Sequence, residues 1–292
     1  DCLVAYVSAC LIVLLFICLV LSLCIMSIPK TINLSRKKII SSTGKALKDF
    51  SMIDNGDKIM VCISGGKDSY TMLEMFIHFQ KYGDIDFDFI VVNMDQKQPG
   101  FPTEVLPKYL SNLKVNFKII EKDTYSIVKD KIPEGKTMCS LCSRLRRGTL
   151  YDEARELNCN KIALGHHMDD IIETYFLNLF FSGKMEAMPP KYLIDKRDLI
   201  VIRPLAYCKE EEIQEYSNLS KHPIIPCNLC GSQTNLQRKK IKALIKEWEL
   251  IYPNRKAIIF RALQNISPSH MLDRNIFNFE DLQEIEDSNL FV

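Results

Sequence analysis

Two apolar rhythms alternate along the chain. Short unbroken runs, Ile59-Met60-Val61-Cys62-Ile63 first among them, suit strands buried on both faces. Between such runs, apolar residues recur at helical spacing, as with Met72, Leu73, Met75, Phe76 and Phe79 after Lys67. The same reading predicts strands over Asp86–Asp95, Val115–Ile120, Lys161–Gly165 and Leu199–Ile202. It predicts helices over Leu106–Leu113, Thr124–Lys131, Thr149–Leu157, His167–Phe181, Glu210–Leu219 and Gln237–Glu249, the last capped by Asn235. A basic helix over Leu34–Phe50 precedes them. Strands alternating with helices predict an α/β fold with a mostly parallel sheet. Ligands of such sheets sit beyond the carboxyl ends of the strands.

The chain opens on a different pattern. Cys2 to Ile28 carries no charge, and Lys30, Arg36, Lys37 and Lys38 follow. That length spans a bilayer, and the basic flank would leave the remainder in the cytoplasm. The alternative is an extension of the gene ahead of a soluble start near Met26. The expected organisation is thus residues 1–28 as an apolar segment, 29–56 as a basic lead, 57–279 as the main domain and 280–292 as an acidic tail.

The strand Ile59–Ile63 runs into Ser64-Gly65-Gly66-Lys67-Asp68-Ser69. Glycines permit a sharp turn and close approach of a ligand to the backbone. The helix that follows leaves its first N–H groups free at the positive end of its dipole, which makes an anion site. Serine hydroxyls and a lysine suit phosphate oxygens, and an aspartate suits a bridging metal. The spacing is that of neither the Walker A loop nor the G-x-G-x-x-G turn.

Composition narrows the class. Of 292 residues, 47% are hydrophobic and 25% charged, which fits a globular chain, and a net charge of +2 does not by itself call for a nucleic-acid partner. Eleven cysteines are many, and their placement matters more than their number. Cys139-Ser-Leu-Cys142 and Cys227-Asn-Leu-Cys230 form two C-x-x-C pairs. Two such pairs indicate a metal, either a tetrahedral zinc or an iron–sulfur cluster. No helix start is predicted at Cys139, so a thioredoxin-like redox reading is set aside.

The turn Ser64-Gly-Gly-Lys-Asp-Ser69 resembles the pyrophosphate-binding loop of PP-loop ATP pyrophosphatases. The first cysteine segment, Cys139-Ser-Leu-Cys-Ser-Arg-Leu-Arg-Arg-Gly148, and Lys161-Ile-Ala-Leu-Gly-His-His-Met-Asp-Asp170 are similar to the PP-loop sulfurtransferases that form 2-thiocytidine in tRNA. So are Gly183-Lys-Met-Glu-Ala-Met-Pro-Pro190, Pro226-Cys-Asn-Leu-Cys-Gly-Ser-Gln233 and Pro268-Ser-His270. The resemblance runs from about Lys30 to about Phe279; residues 1–28 have no counterpart in it.

The resemblance implies a Rossmann-like PP-loop domain that thiolates C2 of cytidine 32 in the tRNA anticodon loop. ATP, Mg2+ and a [4Fe-4S] cluster would serve the reaction, with tRNA as partner, a cysteine desulfurase as sulfur donor, a homodimer as the assembly and the cytoplasm as the location. Three cysteines would hold the cluster and leave one iron open: Cys139, Cys142 and Cys230, with Cys227 as the alternate. Ser64, Gly65, Gly66, Lys67, Asp68 and Ser69 would hold the nucleotide phosphates, Asp68 also through Mg2+. Met94, Asp95, Gly165, His166 and His167 would complete the nucleotide site. Arg146, Asp169 and Asp170 are the catalytic candidates, and Arg238, Lys239, Lys240, Lys242 and Lys246 would track RNA backbone.

Overall fold

The computed structural model describes residues 31–132, 139–226, 236–280 and 282. The apolar N-terminal segment and the second cysteine pair lie outside the described residues, as does the side chain of Cys139. Among the described residues, no helix is long and apolar enough to cross a membrane.

Helix α1 (residues 31–49) buries Ser35, Ile39, Thr43 and Ala46 on one face. Lys37, Lys38, Lys45 and Lys48 are exposed. The chain then alternates strand and helix: β1 (Asp57–Cys62), α2 (Lys67–Tyr82), β2 (Phe87–Asp95), α3 (Val105–Leu113), β3 (Phe117–Glu121), α4 (Thr124–Lys131) and α5 (Cys139–Glu156). There follow β4 (Lys161–Ala163), α6 (Met168–Phe181), β5 (Lys191–Leu193), β6 (Ile200–Ile202) and α7 (Glu210–Ser220).

The six strands form one sheet in the order β3-β2-β1-β4-β6-β5. All pairings are parallel except that of β5 with β6. This is the α/β, Rossmann-like arrangement expected. The run Ile59-Met60-Val61 is fully buried, as a strand covered on both faces requires. On one face Met60, Val92, Met94, Ile162 and Val201 pack with Leu150 and Ala154 of α5. From β1 the chain steps outward to β2 and β3, then crosses back to β4 on the other side. Strand order therefore reverses between β1 and β4, which opens a crevice at their carboxyl ends.

The amino end of the sheet does structural work. Lys161 is 2% exposed and lies 2.7 Å from Asp54 and 2.6 Å from Asp57. Asn160 Nδ2 also donates to Asp57 at 2.7 Å.

Two of the elements up to α7 differ from the sequence expectation. β5 is too short for periodicity to reveal. Helix α5 starts at Cys139 rather than Thr149, because its first half is polar and Gly148 reads as a breaker, though one glycine costs a helix only about 1 kcal/mol. The first cysteine pair does therefore sit at a helix start, contrary to the expectation.

The chain divides into two compact units, Asp1–Ala243 and Leu244–Val292. Helix α8 (Leu236–Ile251) spans the division, and α9 (Arg255–Leu263) and a 3-10 turn at Pro268–His270 lie in the second unit. There Glu249 accepts from the backbone N–H groups of Asn254 and Lys256 at 2.9 and 2.8 Å, fixing the turn between α8 and α9.

Candidate nucleotide and cysteine site

The turn after β1 is held open by bonds on its flanks. Asn93 of β2 donates to the Ile63 carbonyl at 2.7 Å, which fixes where the turn begins. Ser69 closes the other side: its hydroxyl donates to the Gly66 carbonyl at 2.8 Å and accepts from the Ser64 N–H at 3.2 Å. Gly65 adopts φ +83, in the left-handed region where glycine is at no disadvantage. Gly66 caps α2 without any side-chain hydrogen bond. First-turn N–H groups have no intrahelical acceptor, so an uncapped helix start offers them to an anion.

Charged groups surround the turn. Lys67 Nζ is 3.2 Å from Asp68 and 3.4 Å from Glu210 of α7. Burial works against the Lys67 ammonium, but those two carboxylates outweigh it and hold its pKa above that of an ordinary lysine. Burial raises the Asp68 carboxyl, against the pull of His167 and Lys67. Asp68 Oδ1 is buried and accepts no hydrogen bond, though it is the oxygen 3.2 Å from Lys67 Nζ. An oxygen in that state suits a cation, and Mg2+ commonly takes one or two carboxylates with the rest of its shell from phosphate and water.

The loop after β4 packs directly on this helix start. A Cβ at Gly165 would lie 3.2 Å from the backbone of Asp68 and Ser69, so a side chain there would push the two segments apart by a few tenths of an ångström. His166 follows, with Nδ1 buried and unpartnered, and burial pushes its imidazole down to about 4. His167 caps α6 in a reciprocal pair with Asp170 and lies 3.6 Å from Asp68.

The remaining candidates divide by partner. Asp169 is buried, and its carboxylate accepts from the Glu210 N–H at 2.8 Å, capping α7. Asp170 accepts from the His167 N–H at 3.2 Å and meets Arg238 at 3.4 Å. Asp95 accepts from the Lys97 N–H at 2.7 Å, and the Met94 side chain belongs to the core. Arg146 on α5 is exposed, and its charge acts on both His166 and Cys62. Burial nevertheless drives the Cys62 thiol up to about 12. Arg238 and Lys242 form ion pairs with Glu173 and Glu210, whereas Lys239 and Lys240 face solvent.

The first cysteine segment and the chain that leads to the second approach the same edge. Cys142 is a half-buried thiol that donates to Gln96 Oε1 at 3.1 Å, just past the end of β2. Cys139 lies three residues earlier on the same helix. Ile225, two residues before Cys227, donates its N–H to the Gly65 carbonyl at 2.9 Å. Its side chain covers Gly65 so closely that a Cβ there would lie 2.8 Å away. Sequence reasoning had no signal for this contact. It also passed over Arg203, where an Arg-Pro at the end of a strand was the available sign, and Glu74, which receives Tyr109, Tyr216 and His222.

A glycine turn, an uncapped helix start and a strand-order reversal together define a PP-loop nucleotide-binding protein, and residues 36–243 match the PP-loop domain family. A chain from Cytophaga hutchinsonii is 60% identical over 266 residues, covering 91% of this chain and 93% of that one, and is a tRNA-cytidine(32) 2-sulfurtransferase. Another from Ectopseudomonas mendocina, of the same name, is 60% identical and covers 88% of this chain and 93% of its own. The protein belongs to the tRNA-cytidine(32) 2-sulfurtransferase family. Among solved structures, the U34-tRNA thiolase NcsA from Methanococcus maripaludis, which carries a [4Fe-4S] cluster, shares the fold: TM-score 0.60 at 22% identity, covering 80% of this chain and 81% of that one.

Proposed function

We propose that the chain uses ATP to replace the C2 oxygen of cytidine 32 in tRNA with sulfur. The observation that supports this most is the shared carboxyl edge. The anion-ready start of α2, the Cys142 thiol and the strand of chain leading to Cys227 all meet the ends of β1 and β2.

Such an oxygen is a poor leaving group until it carries AMP. The cytosine O2 attacks the α-phosphorus and pyrophosphate leaves; sulfur then attacks C2 and AMP departs with the oxygen. The turn N–H groups and Lys67 hold the departing pyrophosphate, and Asp68 would hold Mg2+, which would offset the negative charge of the phosphates. Arg146, free of ion pairs among the described residues, stabilises the adenylated base. Asp169 and Asp170 keep α6 and α7 in place around the turn.

The donor set fits a [4Fe-4S] cluster: Cys142 is a half-buried thiol at the site's edge, and Cys139 and Cys230, with Cys227 as the alternate, would supply the rest. Bound there, the cluster would supply thiolate-held iron with affinity for inorganic sulfide. A cysteine desulfurase provides the sulfur, the active form is a homodimer, and the substrate is cytoplasmic tRNA. Anaerobic purification tests the cluster: a brown protein with visible charge-transfer absorption, lost in Cys142→Ser, supports it, and a colourless zinc protein refutes it.

A further inference from the structure

Arg203 leaves the sheet at the carboxyl end of β6. The Leu164 N–H donates to the Ile202 carbonyl at 3.0 Å, so Arg203 stands level with the loop after β4. The residue is 6% exposed. Its guanidinium donates to the Pro189 carbonyl and lies 5.1 Å from the centre of the Tyr192 ring. Tyr192 is itself held by a 3.0 Å hydroxyl contact with Tyr151 of α5. Arg203 Nε is buried without a partner; Tyr192, Tyr151 and the Asp170 carboxylate act on the group, but among the described residues no carboxylate is within ion-pair distance of it.

A buried cation with no carboxylate in contact is costly to keep, and an anion that reaches it removes that cost. Strands lie about 4.8 Å apart, so the backbone at the end of β6 is roughly 10 Å from that at the end of β1, with β4 between them. His166 lies in the loop after β4, and the charges of both Arg203 and Arg146 act on it. A nucleotide whose terminal phosphates rest on the turn extends its α-phosphate into this space. A guanidinium fork binds such an anion through two parallel hydrogen bonds.

We propose that Arg203 is a phosphoryl-binding residue of the reaction, its guanidinium pairing with the α-phosphate that passes from ATP to cytosine and leaves as AMP. The assignment rests on the sulfurtransferase reading and adds a residue to it. Arg203 makes and breaks no covalent bond; the tyrosine stack and the Pro189 carbonyl hold its plane.

The test uses the holoenzyme, Arg203→Met and Arg203→Lys, with equilibrium binding of AMP and of unmodified tRNA measured separately. Arg203→Met should weaken AMP binding about tenfold or more and leave tRNA affinity within about twofold, as loss of one charge-assisted pair requires. Arg203→Lys, which keeps the charge but not the fork, should fall between. Added guanidinium ion should restore part of the thiolation lost in Arg203→Met, an effect that a packing role would not produce. Loss of tRNA affinity with AMP binding intact would assign the anion to the RNA backbone instead. Unchanged affinity for both ligands in Arg203→Lys, with no guanidinium rescue in Arg203→Met, would overturn the proposal. Wild-type formation of 2-thiocytidine is measured alongside; its absence would refute the sulfurtransferase reading, whatever Arg203 does.

Discussion

Gly65→Ala perturbs the point where the nucleotide turn meets the approach to the second cysteine pair. Two costs are separable there. Gly65 has φ +83, and an L residue in the left-handed region costs about 1–2 kcal/mol. The new methyl would also stand 2.8 Å from Ile225 Cδ1 and 2.9 Å from its Cβ and Cγ1. Ile225 Cβ is fixed to the backbone, so a rotamer change does not clear the overlap. Segment 225 must withdraw and its 2.9 Å hydrogen bond to Gly65 must stretch, an overpacking cost of about 1–3 kcal/mol. Together the substitution should destabilise the chain by about 2–5 kcal/mol in urea unfolding. The cycle with Ile225→Gly separates the two. That change removes the side chain the methyl would strike, so the double variant should be more stable than the sum of the singles predicts, by about 1–3 kcal/mol. Strict additivity would refute the claim that Ile225 rests on Gly65, and with it the coupling of the turn to the cysteine segment.

Other outcomes follow from single residues. Lys161→Ala leaves Asp57 buried and unpaired and should cost about 3–5 kcal/mol in urea unfolding, with ATP affinity unchanged because the site is at the opposite end of the sheet. Asp68→Asn removes the oxygen assigned to the cation; ATP-dependent turnover should need about tenfold more Mg2+, and an unchanged Mg2+ requirement would move the metal elsewhere. Burial raises the Glu74 carboxyl, but hydrogen bonds from His222, Tyr216 and Tyr109 outweigh it and hold the group below its ordinary value of 4.5. A depressed acid stabilises the fold above its unfolded pKa, and that contribution is lost as pH falls through the folded one. The stability gap between wild type and Glu74→Gln should therefore be full above pH 4.5 and close below it, as followed by thermal melts across an acid series.

The legible parts of the chain were those whose signal is local. A solid apolar run, a glycine pair and a following amphipathic stretch specify β1, its turn and α2 without reference to the remaining chain. β5 escaped because three residues carry no period, and its pairing is decided by β6. The start of α5 escaped because its cysteines and arginines leave little apolar face to count. Within the site, residue types were readable but their partners were not. Asp169 and Asp68 are both acids near a glycine, yet one caps α7 and the other pairs with Lys67 beside the turn. Arg203 looked like the end of a strand because nothing in the sequence shows that its charge is buried with no carboxylate in contact.

The account turns on one reaction at one base. Nucleoside mass spectrometry of tRNA from cells lacking the gene, and from the same cells carrying wild type or Cys142→Ser, reads that reaction directly. The account predicts that 2-thiocytidine disappears with the gene, returns with wild type and stays absent with Cys142→Ser. An undiminished level of 2-thiocytidine without the gene, in cells with no second copy, would contradict it.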